Sequence, residues 1–348
     1  MKLRAVTSAI PSRKITNTDI LELIGEHSAD LFTGNLKGAQ RKVGNLLNFT
    51  GSDTRYWLEA DERPIDLLRT AAHSALTRAG LAPEQIDLLI YTGVGRGFLE
   101  PGGAYHSAAA IGLRNAHCFD VLDACMSWTR AVQLAESLFR TGQYRSAMIV
   151  NAEFAVSRGG AVLPHVFRLK RIEDLESKLP AYTLGEAATA TVLTADDAGE
   201  PWKFRFISRP DLAPLCNITL DGYEGYCDPS DKLARNGIGV FTSFGIEMHD
   251  VGRAEVQAVF DQLDPPVDEV AALVTHASSK RAWQAFADTV GLGPVTHHVF
   301  DRIGNVVSAS VPAALASAID SGQLRPGQRA VGLMGSAGMS FGAFTFVL

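Results

Sequence analysis

Four cysteines stand in 348 residues, and Cys125 is the one placed where a thiol can do chemistry. It lies within FDVLDACMSWTRAVQLAESLFRTGQYR (119–145). Residues 119–122 read as a short buried strand. Trp128, Val132, Ala135, Leu138 and Phe139 then recur at three- and four-residue intervals, one face of a helix that stops near Gly142. A cysteine at this handover stands beside a helix N-terminus, where free amides and the macrodipole favour the thiolate, the nucleophilic form. That predicts a lowered thiol pKa and faster alkylation of Cys125 than of Cys118, Cys216 or Cys227. A free cysteine by itself more often fills space, so partners decide. A nucleophilic thiol needs a proton partner and donors for an oxyanion. His276, in VTHASSKRAW, follows a buried-looking strand and precedes a helix start. Asn305, in RIGNVVSASVP, follows a glycine and precedes a helix, a place where Asn also serves as a cap.

The elements that would position these residues occur twice. Segments 119–145 and 300–329 both open on Phe-Asp, pass through small residues into an Ala-rich helical pattern, and reach Gly-Gln-x-Arg. Upstream, RTAAHSALTRAGLAPEQIDLLIYTG (69–93) and GRAEVQAVFDQLDPPVDEVAALVTH (252–276) share the order helix, stop, proline, strand. YTLGEAATATVL (182–193) and GSAGMSFGAFTFVL (335–348) close the two halves. Such similarity of order marks an internal duplication. It predicts two α/β halves, each a mixed sheet covered by helices, packed through their central helices. Cys125 and Asn305 then occupy nearly equivalent loops, and His276 ends the strand before Asn305. At the carboxyl ends of strands the three converge between the halves.

The composition suits such a core. Hydrophobic residues make up 46% and charged residues 20%, a globular balance without a disorder signature. A net charge of -6 lacks the basic footprint of a nucleic-acid binder. Cys118, Cys125, Cys216 and Cys227 form no CxxC pair, so no metal or redox dithiol is signalled. No apolar stretch approaches a membrane span, and MKLRAVTSAIPSRKIT lacks a signal-peptide core, which points to a reducing cytoplasm.

The order Cys, His, Asn with these flanks resembles the ketosynthase III branch of the thiolase superfamily. AIPSRKITNTDI, DACMSW, LGEAATATVL, GNVVSASVPAAL and the small-residue C-terminal strand carry the resemblance over nearly the whole chain. It implies a duplicated, five-layer αβαβα thiolase-like fold. Its halves are expected at 1–195 and 246–348, with a loop-rich insertion at 196–245 shaping an acyl pocket. Cys125 would take an acyl group from a coenzyme A or carrier-protein thioester, its oxyanion held by the backbone amides of Cys125 and Ala337. His276 and Asn305 would stabilise the enolate of a second thioester as a carbon–carbon bond forms. No permanently bound cofactor and no metal are implied, and the assembly would be a homodimer. Ser279 stands where the fatty-acid-initiating enzymes often have Asn, and the closing loop reads GSAG rather than a glycine run, which points to a specialised member. Alternatives on the same fold are transfer of the acyl group to an oxygen or nitrogen acceptor, and a non-catalytic partner subunit. The intact trio favours condensation.

GVGRGFLEPGG (93–103) follows a strand but lacks the last glycine of a dinucleotide loop, Phe98 standing there. Its Glu100-Pro101 pair is similar to the head-to-head acyl-condensing enzymes, in which a carboxylate from this loop would serve as base for the second acyl chain. A carboxylate in an apolar tunnel would be pushed toward neutral pKa; a solvated turn glutamate is the plainer reading. Arg55 and Lys42, with Lys37 and Arg41 nearby, are candidates for the phosphates of coenzyme A or a carrier protein.

Overall fold

A computed structural model describes residues 1–156, 160–196 and 199–348. Its strands in chain order are β1 (Lys2–Ala9), β2 (Arg13–Thr16), β3 (Thr54–Trp57), β4 (Leu88–Thr92), β5 (His117–Val121), β6 (Ser146–Glu153) and β7 (Ala187–Thr194), then β8 (Lys203–Ser208), β9 (Cys216–Asn217), β10 (Thr242–Ser243), β11 (Val270–Thr275), β12 (Thr296–His297), β13 (Arg329–Ser336) and β14 (Ser340–Val347). Two five-stranded sheets dominate, in the orders β5-β4-β6-β7-β1 and β12-β11-β13-β14-β8. Directions match strand for strand. The first three strands of each order run parallel, and the last two pair antiparallel. The duplication expected from the sequence is therefore the architecture.

Alternation along the strands builds five layers, because successive side chains leave opposite faces of a sheet. Leu88, Ile90 and Ile149 of the first sheet meet Ala272, Val274 and Phe344 of the second across a shared middle layer. That layer holds Trp128, Val132, Ala135 and Phe139 of the helix Ser127–Arg140, with Ala314, Leu315 and Ala318 of the helix Ser310–Asp320. On the outer face of the first sheet, Leu89, Met148 and Val150 pack on the helices Pro64–Ala79 and Gly103–Ile111. On the outer face of the second, Leu273, Val331 and Phe341 pack on Gly245–Leu263 and Lys280–Thr289. Both sheets are covered on both sides, which is why their central strands read as nearly continuous apolar runs.

The boundaries need one correction. Segment 196–245 is not wholly a connecting insertion, since β8 lies inside it and pairs with β14 as β1 pairs with β7. The second half thus opens at Lys203. KFRFIS alternates charged and aromatic residues with period two, the strand signal in that stretch. The rest of the segment is short 3-10 turns and the small β9–β10 ladder. Region 30–60 is also more regular than its polarity suggests. It carries the helix Leu36–Thr50, which buries Ala39, Val43 and Leu47 on one side.

Candidate active site

Cys125 follows β5 and precedes the helix Ser127–Arg140, as the handover predicts. Ala124, just before it, has φ +44, so the chain turns sharply into the helix. The turn is pinned from the other half. Met126 donates its amide to Ser336 Oγ (3.2 Å), and Ser336 donates to the Asp123 carbonyl (3.2 Å), at the end of β13. Asp123 also takes Arg130 Nε at 2.9 Å. Among the described residues no acceptor takes the amides of Cys125 or Ala337, leaving both free for an oxyanion.

The thiol does not behave as its position beside the helix suggests. Burial pushes its pKa well above the ordinary cysteine range, and the carboxylates of Glu153 and Asp123 push the same way against hydrogen bonding from Ser336. Cys125 is half-buried and Cys227 is exposed.

His276 ends β11 and its amide donates to the Leu333 carbonyl of β13 (3.0 Å). The ring is buried, and its Nδ1 has no partner among the described residues. Burial, with the neighbouring His249, pushes its pKa down to about 4, so the ring is neutral at physiological pH. Asn305 sits in the turn between β12 and the helix Ser310–Asp320. Its amide donates to the Thr183 carbonyl (2.8 Å) and its carbonyl accepts from Gly185 (2.9 Å), so the closing stretch of the first half holds this turn. Asn305 Oδ1 accepts from the Val307 amide (2.9 Å). Cys125 thus follows β5, His276 follows β11 directly, and Asn305 follows β12 after the short helix Phe300–Ile303. Asn305 does not cap the helix Ser310–Asp320, whose cap residue is Ala309; its side chain closes a local turn on Val307 instead.

Glu100, Arg55 and Lys42 fall elsewhere. Glu100 is exposed, in a loop that also exposes Phe98 and Leu99. Arg55 is wholly buried, which rules out the phosphate contact expected of it. It reads as a surface charge because TGSDTRYWLEAD is polar, yet it lies in β3 with its Nη2 donating to Asn17 Oδ1 (2.9 Å) and Ser52 Oγ (2.8 Å). Burial lowers its pKa to about 10. A Cβ on Gly304 would come 2.8 Å from Arg55 Cβ, so Arg55 backs the turn that carries Asn305. Lys42 is exposed and lines a surface cleft with Phe32, Asn35 and Arg171. Sequence reasoning missed Glu153, the buried carboxylate that closes β6. Its signal is an acidic residue ending an otherwise apolar strand, MIVNAE.

The family described as 3-oxoacyl-[acyl-carrier-protein (ACP)] synthase III C terminal matches residues 260–348. The chain is 29% identical over 307 residues to a β-ketoacyl-[acyl-carrier-protein] synthase III of Thermosynechococcus vestitus, covering 85% of this chain and 87% of that protein. It is 27% identical over 356 residues to the enzyme of the same name from Symbiobacterium thermophilum, covering 99% and 98%. Among solved structures, a Cys-to-Ser form of Xanthomonas campestris OleA with bound lauric acid and lauroyl-CoA superposes with a TM-score of 0.80 at 22% identity, over 99% of this chain and 98% of that one. The 3-oxoacyl-[acyl-carrier-protein] synthase III of Aquifex aeolicus superposes at 0.76 with 19% identity, over 100% and 99%. With the duplicated five-layer frame, these findings make the chain similar over nearly its whole length to ketosynthase III enzymes.

Proposed function

We propose that the protein is an acyl-thioester condensing enzyme that works through an acyl-Cys125 intermediate and releases a β-keto product. The observation that supports this reading is that Cys125, His276 and Asn305 each follow a strand of the parallel runs, β5, β11 and β12, while no acceptor among the described residues takes the amides of Cys125 or Ala337. In the first step the Cys125 sulfur attacks the thioester carbonyl, and the two amides take the charge that develops on oxygen. The thiol proton leaves on the departing sulfur, which suits a thiol that burial keeps protonated until attack. In the second step a neutral His276 and the Asn305 amide donate to the thioester oxygen of the second substrate, lowering the energy of its enolate. The enolate carbon attacks the acyl carbonyl, a carbon–carbon bond forms and the Cys125 thiolate is expelled. Coenzyme A or phosphopantetheine thioesters serve as substrates in this scheme.

Two finer points extend the proposal. The protein works as a homodimer, and Glu100 of one protomer serves the acyl site of its partner as the base that removes an α-proton. Exposure of Phe98, Leu99 and Tyr105 around Glu100 supports a loop covered by a second copy. OleA has been solved with one glutamate replaced by Ala, Gln or Asp. The test is intact-mass spectrometry with a panel of acyl-CoA thioesters, then product analysis with and without malonyl thioester. A one-acyl adduct and a β-keto product without malonyl thioester are expected. Glu100→Gln should then lower condensation about 10²–10⁴-fold, the usual contribution of a general base, while acylation persists. Full activity of Glu100→Gln with strict dependence on malonyl thioester would return Glu100 to a solvated turn. Transfer to an added hydroxyl or amine acceptor without condensation would favour the acyltransferase alternative.

A further inference from the structure

The glycine-rich stretch after β4, unfit for a dinucleotide, encloses a carboxylate of the chain itself. Glu153 is 1% exposed. Its Oε2 accepts from the Gly95 amide (2.8 Å); its Oε1 accepts from the Val94 amide (3.2 Å), the Ser308 amide (3.2 Å) and the Ser308 hydroxyl. All four partners donate, the complement of an ionised carboxylate, which can only accept. Ser308 Oγ in turn accepts from Asn151 Nδ2 (2.8 Å), whose Oδ1 accepts from Thr189 (2.8 Å). The donated hydrogens run one way and end on Glu153. Burial raises its pKa, and the hydrogen bonds from Ser308, Gly95 and Val94 oppose that.

Glycine is required for the approach. Gly93 has φ +130, and a Cβ there would lie 2.7 Å from Glu153 Oε1. At Gly95 a Cβ would lie 2.5 Å from the Ala152 carbonyl oxygen. From Gly95 the chain runs on through Arg96, which donates to the Gly93 carbonyl (2.8 Å), to Glu100. On the other side Ser308 is the third residue after Asn305. Between them Val307, at φ +50, donates to Asn305 Oδ1. One carboxylate therefore holds two loops that come from different halves.

We propose that Glu153 is a positioning residue for condensation: its carboxylate fixes the loop bearing Glu100 against the turn bearing Asn305, and it touches no substrate itself. The inference rests on the roles proposed above for those two residues. Glu153→Gln keeps the shape but sets an amide donor against the Gly95 N–H, loosening the first loop. Ser308→Ala keeps the carboxylate and the backbone amide but removes the hydroxyl link, loosening the second. Glu153→Asp keeps the charge and the acceptors.

The experiment compares full-length wild type and these variants by hydrogen exchange and by the two half-reactions. Glu153→Gln should speed exchange in peptides covering 93–101, and Ser308→Ala in peptides covering 304–309. In both, condensation should fall about 10–100-fold, as for a small misplacement of reacting groups, while acylation of Cys125 is retained. Glu153→Asp should keep more condensation than Glu153→Gln. Acylation and condensation falling together, in step with thermal stability, would overturn the proposal, as would unchanged exchange in both loops. If Glu153→Gln fails to fold, the ratio of half-reactions in Ser308→Ala decides. If the wild type condenses nothing, the functional reading fails, and the exchange data still decide whether Glu153 ties the two loops.

Discussion

The two halves share one frame and carry different chemistry. In each, the edge strand of the parallel run leads through a turn into the central helix, and a residue with positive φ opens that turn: Ala124 before Cys125, Gly304 before Asn305. In each, the adjacent parallel strand ends on the rim, but β4 runs into Gly93, Val94 and Gly95 whereas β11 runs into His276. In the proposed mechanism the first half supplies a nucleophile beside a buried anion, and the second supplies neutral donors. The electrostatics divide along the same line. Glu153 and Asp123 make thiolate formation harder, while burial keeps His276 uncharged. Duplication supplies equivalent positions, and in the proposed mechanism the residues placed there decide which half attacks and which half stabilises.

The sharpest way to break this division is to remove its two sides separately. Cys125→Ala deletes one sulfur from a half-buried turn and should abolish the acyl adduct with near-native thermal unfolding. An adduct of unchanged mass on that variant would place the nucleophile elsewhere. His276→Ala and Asn305→Ala should still acylate, yet condense about 10²–10³-fold more slowly, the usual loss for one preorganised oxyanion donor. Equal losses in both steps would mean that the second half also serves acylation, and the division by half would fail.

The next effect concerns pH. An unfolded histidine titrates near 6.5, and His276 in the folded chain titrates near 4 because its protonated form is desolvated. Between those values the unfolded chain binds a proton that the native chain refuses. The contribution to stability is therefore fully present above about pH 6.5 and is lost as pH falls toward about 4, each pKa unit being worth ~1.4 kcal/mol. Urea midpoints measured across that window should fall for wild type and fall less for His276→Gln. A histidine resonance of His276 titrating near 6.5 by NMR would contradict the neutral-donor assignment.

Periodicity and order carried most of the fold. Apolar spacing after Cys125, the repeated order of elements and the glycine before Asn305 all report local geometry, and local geometry is what a linear pattern encodes. The departures concern burial, which depends on partners far along the chain. Arg55 reads as solvated because its neighbours are polar, yet Asn17, Ser52 and the Gly304 turn enclose it. The Cys125 thiol reads as acidic because only the helix start is visible, while the burial that raises its pKa is set by packing, and the Glu153 carboxylate that adds to it lies on β6. Glu153 meets its donors 58 and 155 residues away. Glu100 remains where the sequence puts it, in an exposed loop, and a single chain gives it no pocket.

The smallest effects test whether the paired turns are equivalent in strain as well as position. Gly304 has φ +73 and ψ -165, a region that only glycine occupies readily. A Cβ there would also lie 2.5 Å from the Thr183 carbonyl oxygen. Gly304→Ala should therefore cost on the order of 1–3 kcal/mol from the backbone alone, with more from the clash, and should slow condensation more than acylation. At the matching position Ala124 already bears a Cβ at φ +44. Ala124→Gly relieves that strain but gives the unfolded chain more freedom, so the net change should stay within about 1 kcal/mol of zero. Urea denaturation of both variants reads the contrast directly. Similar losses from the two swaps would show that strain at Ala124 is not relieved by glycine, and that the turn before the nucleophile is held by its contacts with Ser336 rather than by its backbone. A large loss at Gly304 with near-neutrality at Ala124 would show that the second half needs its glycine for space, where the first half tolerates a side chain.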